Sequence, residues 1–196
     1  MSLGSSNAIL IEPAALGVKS RIALVYTYPL ANLSLSSPAR NNFTHPSGPQ
    51  LASRGYRVLL LNNYNDRVGY ESFVPDISRA IKYLRSLPGV DKVLLLGHSA
   101  GGPLVAFYQN VAENGPRACQ GPEKIYMMTE DSITGVDWAS SSTSAPTNVQ
   151  GIGVPLLIMT MTCHYFVVPD EIIFDHAASK DKQIAYVEGA SHGFTP

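Results

Sequence analysis

A serine that could act as a nucleophile lies in the pentapeptide Gly97-His98-Ser99-Ala100-Gly101. In the pattern Gly-x-Ser-x-Gly, a strand turns so sharply into a helix that the serine takes a strained backbone conformation. The positions two residues before and after the serine must then lack bulk, and glycine meets that demand. Such a turn lifts the hydroxyl above the carboxyl edge of a sheet, next to a helix N-terminus. The pattern therefore predicts nucleophilic catalysis by Ser99.

The serine hydroxyl needs a neighbouring base to take its proton. Three of the five histidines follow the serine in the chain: His164, His176 and His192. His192 comes after the last predicted strand, in the small-residue loop Gly189–Gly193, and we predict that it is the general base. We expect His98 to pack beside the nucleophile, and His45 and His176 to be solvated or structural.

The elements that must position these residues alternate in type along the chain. Short apolar runs follow helical patterns, which is typical of a parallel α/β sheet. The predicted strands are residues 8–11, 21–26, 57–61, 92–96, 125–128, 154–159 and 183–187. The predicted helices are residues 50–53, about 73–84, 103–114 and 170–178. Strand 92–96 runs directly into the serine pentapeptide and an amphipathic helix follows it, which is the setting that the pattern requires.

The composition narrows the class of protein. The chain has 196 residues, of which 45% are hydrophobic and 15% charged, so we expect a globular protein of one domain, residues 1–196. A net charge of −1 predicts neither a nucleic-acid nor a membrane partner. The longest apolar runs are too short to span a membrane, and no signal peptide is evident at the start, so we expect a cytoplasmic protein. Cys119 and Cys163 are expected to be reduced thiols, and no metal ligands are predicted.

Three segments give the chain a resemblance to a known superfamily. They are Arg54–Val58 before a strand, Gly97–Gly102, and Gly189–Gly193. On these the chain resembles the α/β-hydrolase superfamily, particularly serine esterases and dienelactone-hydrolase-like members, from about residue 21 to residue 196. The resemblance implies a predominantly parallel α/β-hydrolase sheet flanked by helices, with a small or absent cap. The chain is expected to be shortened between about 117 and 153, where relatives carry a well-marked strand and helix.

The resemblance also implies roles for particular residues. Ser99 is the expected nucleophile and His192 the expected general base. The oxyanion hole is expected to use the backbone N–H of Ala100 together with that of Thr27 or Tyr28. No metal or organic cofactor is implied.

Members of this superfamily complete a Ser-His-acid catalytic triad, and the position of the acid in this chain departs from their pattern. The acid usually follows the strand matched here by residues 154–159, in a Gly-x-x-Asp-like turn, but residues 161–166 contain no carboxylate. Asp170 and Glu171 come next, at a predicted helix start, where acidic residues are also favoured for electrostatic reasons alone. Asp131 and Asp137 are further candidates. A dyad without an acid, or an inactive site, stays open.

Hydrolysis of a small carboxylic ester, thioester or lactone through an acyl-enzyme on Ser99 is the leading hypothesis. A lyase, cyclase or acyltransferase on the same fold is one alternative, because one fold hosts many chemistries. A non-catalytic binding protein is another. The expected partner is a small ester-like molecule, and the sequence leaves the oligomeric state open.

Overall fold

The computed structural model describes the chain in two compact units, Met1–Val105 and Ala106–Pro196. The described residues are 2–3, 6–27, 47–62, 74–98, 101–102, 105–106, 108–109, 149–163 and 167–190. The prediction of one domain stays a prediction, and the predicted strand 125–128 lies outside the described residues.

The first unit contains a five-stranded sheet. Its strands are β1 (Ser2–Leu3), β2 (Ser6–Ile11), β3 (Ile22–Thr27), β4 (Arg57–Asn62) and β5 (Lys92–Gly97). They lie in the order β1-β2-β4-β3-β5. Strands β4, β3 and β5 are parallel, whereas β1 and β2 form antiparallel pairs at one side. The sheet is therefore mixed, with its parallel part leading into the serine pentapeptide.

Strand β4 forms the centre of this unit's core. Its four apolar residues, Val58 to Leu61, are all buried. Strands β2 and β3 pair with its two edges, and the burial of consecutive side chains means that both of its faces are covered. A continuous apolar run is what a strand buried on both faces requires.

Two helices cover this sheet. The short helix α1 (Ser47–Ser53) packs Ala52 against Leu24, Tyr26 and Leu60. Helix α2 (Val74–Ser86) buries Ile77, Ala80 and Leu84 completely, at steps of three and four residues. Helix α1 starts three residues earlier than predicted, whereas α2 agrees closely with the prediction.

The second unit contains a parallel pair of strands, β6 (Leu156–Met161) and β7 (Lys182–Val187), and helix α3 (Val167–His176). Ile173 and Ala177 lie in its core with Val149 and Ile152. The ammonium of Lys182 donates hydrogen bonds to the carbonyls of Phe174 and Ala177, at 2.6 and 3.0 Å, and so closes the C-terminal end of α3.

Two predicted element starts in this unit are wrong, and a proline lies near each; the predicted ends at 159 and 178 also differ from the observed ends at Met161 and His176. The strand predicted at 154–159 starts at Leu156, because Pro155 has no N–H to donate and sheet pairing begins with Leu156 N–H to Asp181 O at 2.9 Å. The helix predicted at 170–178 starts at Val167, because Pro169 lies in its first turn, where a missing N–H costs little.

No helix in the described part of the chain is long and apolar enough to cross a membrane. The thiol of Cys163 is free and exposed. Cys119 lies outside the described residues.

The buried position of Leu59 gives a test of this core. Leu59 is fully buried, whereas the side chain of Leu16, in the loop after β2, is 65% exposed. We expect Leu59→Ala to lower the free energy of unfolding by about 3 to 5 kcal/mol, because it removes buried methyl groups and leaves a cavity. Leu16→Ala, the same chemical change, should cost less than about 0.5 kcal/mol. Urea unfolding measures both, and equal losses would contradict this description of the core.

Candidate active site

The serine pentapeptide lies where two glycines approach each other without room for side chains. A Cβ atom on Gly97, the last residue of β5, would lie within 3.0 Å of the backbone of Gly101 and Gly102. A Cβ atom on Gly101 would lie within 3.0 Å of the backbone and hydroxyl of Thr27. Gly101 N–H also donates a hydrogen bond to His98 O at 2.9 Å, which closes the segment between them. The geometry at both glycines is the one predicted from the Gly-x-Ser-x-Gly pattern.

Thr27, the last residue of β3, forms hydrogen bonds with residues on both sides of the serine. It is fully buried, and its hydroxyl donates to Gly101 O at 3.2 Å while its carbonyl accepts from His98 N–H at 3.1 Å. The structure thus gives Thr27 a part in holding the turn. Its role as an oxyanion-hole donor stays a prediction.

His98 is buried, and its predicted packing beside Ser99 stays a prediction. Its Nδ1 atom is 3.5 Å from the hydroxyl of Tyr26, which is also buried and belongs to the sheet core. Tyr26 therefore belongs to the packing of the sheet core.

Several predicted site residues lie outside the described residues. These are Ser99, Ala100, Tyr28, His192, His164, Asp131 and Asp137. Their roles stay predictions. His176 is described: it is exposed, and its Nδ1 lies 2.9 Å from Ile172 O within the same helix, which agrees with the expected structural role.

Asp170 is a partly buried carboxyl group near the start of α3. Burial raises its pKa from 3.8 to about 6, the neighbouring charge of Glu171 adds to the rise, and the hydroxyl of Thr160 opposes it. A group with this pKa is mostly ionised at neutral pH but gains a proton in mild acid. Perturbed carboxyl groups of this kind are typical of functional sites, although structural networks produce them as well.

Glu171 has a different environment although it is adjacent in sequence. Its side chain is exposed, and it accepts a hydrogen bond at 2.8 Å from the hydroxyl of Tyr186 on β7. This hydrogen bond to Glu171, with a smaller contribution from the charge of Glu171, raises the pKa of Tyr186. The two candidate acids are therefore separated: one lies partly buried and the other is held at the surface.

Two loops meet at the carboxyl edge of β6 and β7. Gly189 N–H donates to the hydroxyl of Thr162 at 2.9 Å, and Cys163 N–H donates to Ala190 O at 3.3 Å. Gly189 has φ +72°, which glycine adopts without strain. The loop that leads to His192 is therefore tied to the loop after β6, on the edge from which α3 begins.

Two contributions were not found by sequence reasoning. One is the buttress made by the Thr27 hydroxyl, and the other is the buried hydroxyl of Thr160 beside Asp170. The sequence of an apolar strand does not show which group a threonine hydroxyl in it will contact. Among the residues that the structure describes, no three His, Cys, Asp or Glu side chains form a group that could hold a metal ion.

Comparison with solved structures identifies the fold. The chain is similar to Est1E from Butyrivibrio proteoclasticus, with a TM-score of 0.65 and 14% identity over 97% of this chain and 87% of that one. It is also similar to a dienelactone hydrolase from Anabaena variabilis, with a TM-score of 0.61 and 15% identity over 98% and 85% of the two chains. A thermophilic esterase from Thermogutta terrifontis gives a TM-score of 0.61 and 20% identity over 96% and 79%.

No family model matches this chain, and a sequence search against curated proteins gives no match. The structural neighbours are α/β-hydrolase-fold proteins, so the chain has the α/β-hydrolase fold. The fold predicted from the sequence is thereby confirmed.

The space at Gly101 gives a test of the turn. We expect Gly101→Ala to lower the free energy of unfolding by about 3 kcal/mol or more, because the new methyl group meets backbone atoms that cannot move aside cheaply. Gly102→Ala is the matched control, since the nearest described atom to its Cβ position is Gly97 O at 3.9 Å and alanine is favourable in a helix. Thermal or urea unfolding compares the two, and equal stability would contradict the close approach.

The raised pKa of Asp170 predicts how stability depends on pH. The unfolded chain loses this proton near pH 4 and the folded protein near pH 6, so the free energy of unfolding falls as the pH rises through that window. Asp170→Asn should remove this fall and be about 1 to 2 kcal/mol more stable than the unsubstituted protein at pH 7.5, with little difference near pH 4. Urea unfolding at several pH values tests this, with the exposed Asp175→Asn as control. A less stable Asp170→Asn protein at pH 7.5 would disprove the desolvation of this carboxyl group.

Proposed function

We propose that this protein is a serine hydrolase that cleaves a small carboxylic ester, thioester or lactone through an acyl-enzyme on Ser99. The observation that carries the proposal is the close approach of Gly97 and Gly101 at the carboxyl end of β5. A serine turn of this pattern requires both positions to be without a side chain and to be followed at once by a helix. The structural neighbours include esterases and a dienelactone hydrolase, which agrees with this chemistry.

The proposed first half-reaction transfers the acyl group to the protein. Ser99 Oγ attacks the carbonyl carbon while its proton passes to His192, and a tetrahedral intermediate forms with its negative charge on the former carbonyl oxygen. Backbone N–H groups, those of Ala100 and of Thr27 or Tyr28, stabilise that charge. The intermediate then expels the alcohol or thiol, which takes the proton from His192.

The second half-reaction returns the protein to its starting state. Water attacks the acyl carbon, gives a proton to His192, and the intermediate expels Ser99 Oγ, which takes that proton back. The products are one carboxylic acid and one alcohol or thiol, or a single hydroxy acid from a lactone, and no metal or redox step is needed to balance them.

We assign the acid of this proposed triad to Asp170 rather than to Glu171. A triad acid must be ionised at neutral pH and must face the protein interior, so that it can hold the histidine and stabilise the imidazolium. Asp170 is partly buried and its pKa is about 6, whereas Glu171 is exposed and already bound to Tyr186. Asp131 and Asp137 remain alternatives that the same mutagenesis tests.

The proposal predicts which variants lose hydrolysis of p-nitrophenyl acetate and butyrate. Ser99→Ala and His192→Ala should each lower kcat by at least about 10³-fold, because both remove a member of a unit that acts together. Ser86→Ala and His176→Ala are matched controls, since both side chains are exposed and bonded within their own helices, and they should keep full activity. Activity that survives in folded Ser99→Ala would refute the proposal.

The same assay separates the candidate acids. We expect Asp170→Asn to lower kcat by about 10² to 10⁴-fold and Glu171→Gln to change it less than about threefold. The reverse pattern would assign the acid to Glu171, and a loss in Asp131→Asn or Asp137→Asn alone would assign it there. Incorporation of ¹⁸O from labelled water into the acid product distinguishes hydrolysis from a lyase, cyclase or acyltransferase reaction.

A further inference from the structure

We propose that Thr160 is a positioning residue: its buried hydroxyl donates a hydrogen bond to the carboxylate of Asp170 and fixes that carboxylate for the reaction. The inference rests on the proposed function, in which Asp170 is the triad acid. It concerns a residue that lies inside an apolar strand and has no place in the Gly-x-Ser-x-Gly pattern.

The first step of the argument is the face on which Thr160 lies. Alternate residues of a strand point to the same side, so Thr160 shares a face of β6 with Leu156 and Ile158. Leu156 and Ile158 pack against the cluster that contains Ile173 and Ala177 of the α3 region. Thr160 is the residue at the carboxyl end of that same face, and it is fully buried.

The second step is the face on which Asp170 lies. Residues at steps of three, four and seven share one side of a helix, so Asp170 lies on the side of α3 that carries Ile173 and continues to Ala177. Ile173 and Ala177 are buried against β6, and Asp170 precedes them at the start of the helix. Glu171 is turned about 100° away and reaches Tyr186 on β7 instead.

The third step is an unpaired polar atom. The Oγ1 atom of Thr160 is completely enclosed and has no partner at ordinary hydrogen-bond geometry among the described residues. A buried hydroxyl without a partner costs about 1 to 3 kcal/mol, and native proteins rarely leave one without a purpose. The group that it influences is Asp170, whose pKa it lowers. A small rotation of either side chain completes the bond when the carboxylate is charged and attracts the donor.

The ionisable groups on the elements around Thr160 and Asp170 do not supply a cation to Asp170. Strand β6 contains no ionisable side chain. On the described parts of α3 and β7 the ionisable residues are Glu171, Asp175, His176, Lys182 and Tyr186. Lys182 binds carbonyls at the far end of α3, and Tyr186 binds Glu171. Glu171 raises the pKa of Asp170, so Thr160 opposes a repulsion that no described cation offsets.

The hydrogen bond from Thr160 would distinguish Asp170 from the adjacent Glu171 as the acid of the triad. Asp170 and Glu171 have the same charge and lie in the same helical turn, where both favour the helix N-terminus. Only Asp170 has a buried hydroxyl beside it. The bond would keep Asp170 ionised at neutral pH and restrict its rotamers, which is what a group that orients a histidine requires.

The test uses Thr160→Val, Thr160→Ser and Asp170→Asn in the full chain, with two readouts. The pKa of Asp170 is followed by ¹³C NMR of the aspartate carboxyl groups, assigned by the loss of a signal in Asp170→Asn. Thr160→Val should raise this pKa by about one unit, a tenfold change in the acid dissociation constant, because it removes a donor that favours the charged form. Thr160→Ser should leave it within about 0.3 units.

The second readout is kcat/KM for p-nitrophenyl butyrate as a function of pH. Thr160→Val should lower kcat/KM about tenfold and move the acid limb of the profile to higher pH, and Thr160→Ser should restore both. In the Asp170→Asn background, Thr160→Val should cause no further loss, because the partner is already absent. If Thr160→Val does not fold, Thr160→Ala replaces it, with the same expected direction.

The two proposals fail in different ways. If the unsubstituted protein shows no hydrolysis that depends on Ser99, the proposed function fails, and the NMR titration still shows whether Thr160 binds Asp170. If the pKa of Asp170 is the same in Thr160→Val, or if Thr160→Val lowers kcat/KM equally in the Asp170→Asn background, the positioning role of Thr160 is overturned.

Discussion

The close packing of backbone around Gly97 and Gly101 is the constraint on which the organisation of the first unit depends. Each position lies within 3.0 Å of backbone atoms at the place where a side chain would begin. That contact is possible only if β3 and β5 keep the register that sets Thr27 opposite Gly97. The register in turn needs β4 buried on β3's other side, so the core and the turn are parts of one arrangement.

Much of this arrangement can be predicted from the sequence, because its causes are local. The apolar run of β4 indicates a strand covered on both faces, and the three- and four-residue steps of α2 indicate one buried side. The two glycines of the serine pentapeptide predict positions that have no room for a side chain. The errors at the starts of β6 and α3 arise near Pro155 and Pro169, because proline's missing N–H prevents pairing in a strand but is tolerated in the first turn of a helix.

The candidate site is less predictable, because its properties come from contacts between distant segments. Asp170 and Glu171 cannot be distinguished by type or position in the chain, and only the packing of α3 on β6 and β7 makes one carboxyl group partly buried and the other exposed. The buttress from Thr27 to Gly101 joins residues that are 74 positions apart. No short sequence window contains both Thr27 and Gly101, so this contact has no local signature.

In the proposed function, the environment of Asp170 sets stability and catalysis against each other. Burial that raises the pKa of a carboxyl group to about 6 makes the folded protein less stable at neutral pH than it would be with a neutral residue there. An amide of the same shape would avoid that cost, yet an amide cannot hold a positively charged imidazole. A destabilising carboxylate beside a buried, unpaired hydroxyl is therefore hard to explain by stability alone, since two apolar side chains would pack there at lower cost. The pair is better explained if the charge is needed when the histidine becomes protonated, because that is the only moment at which its desolvation is repaid.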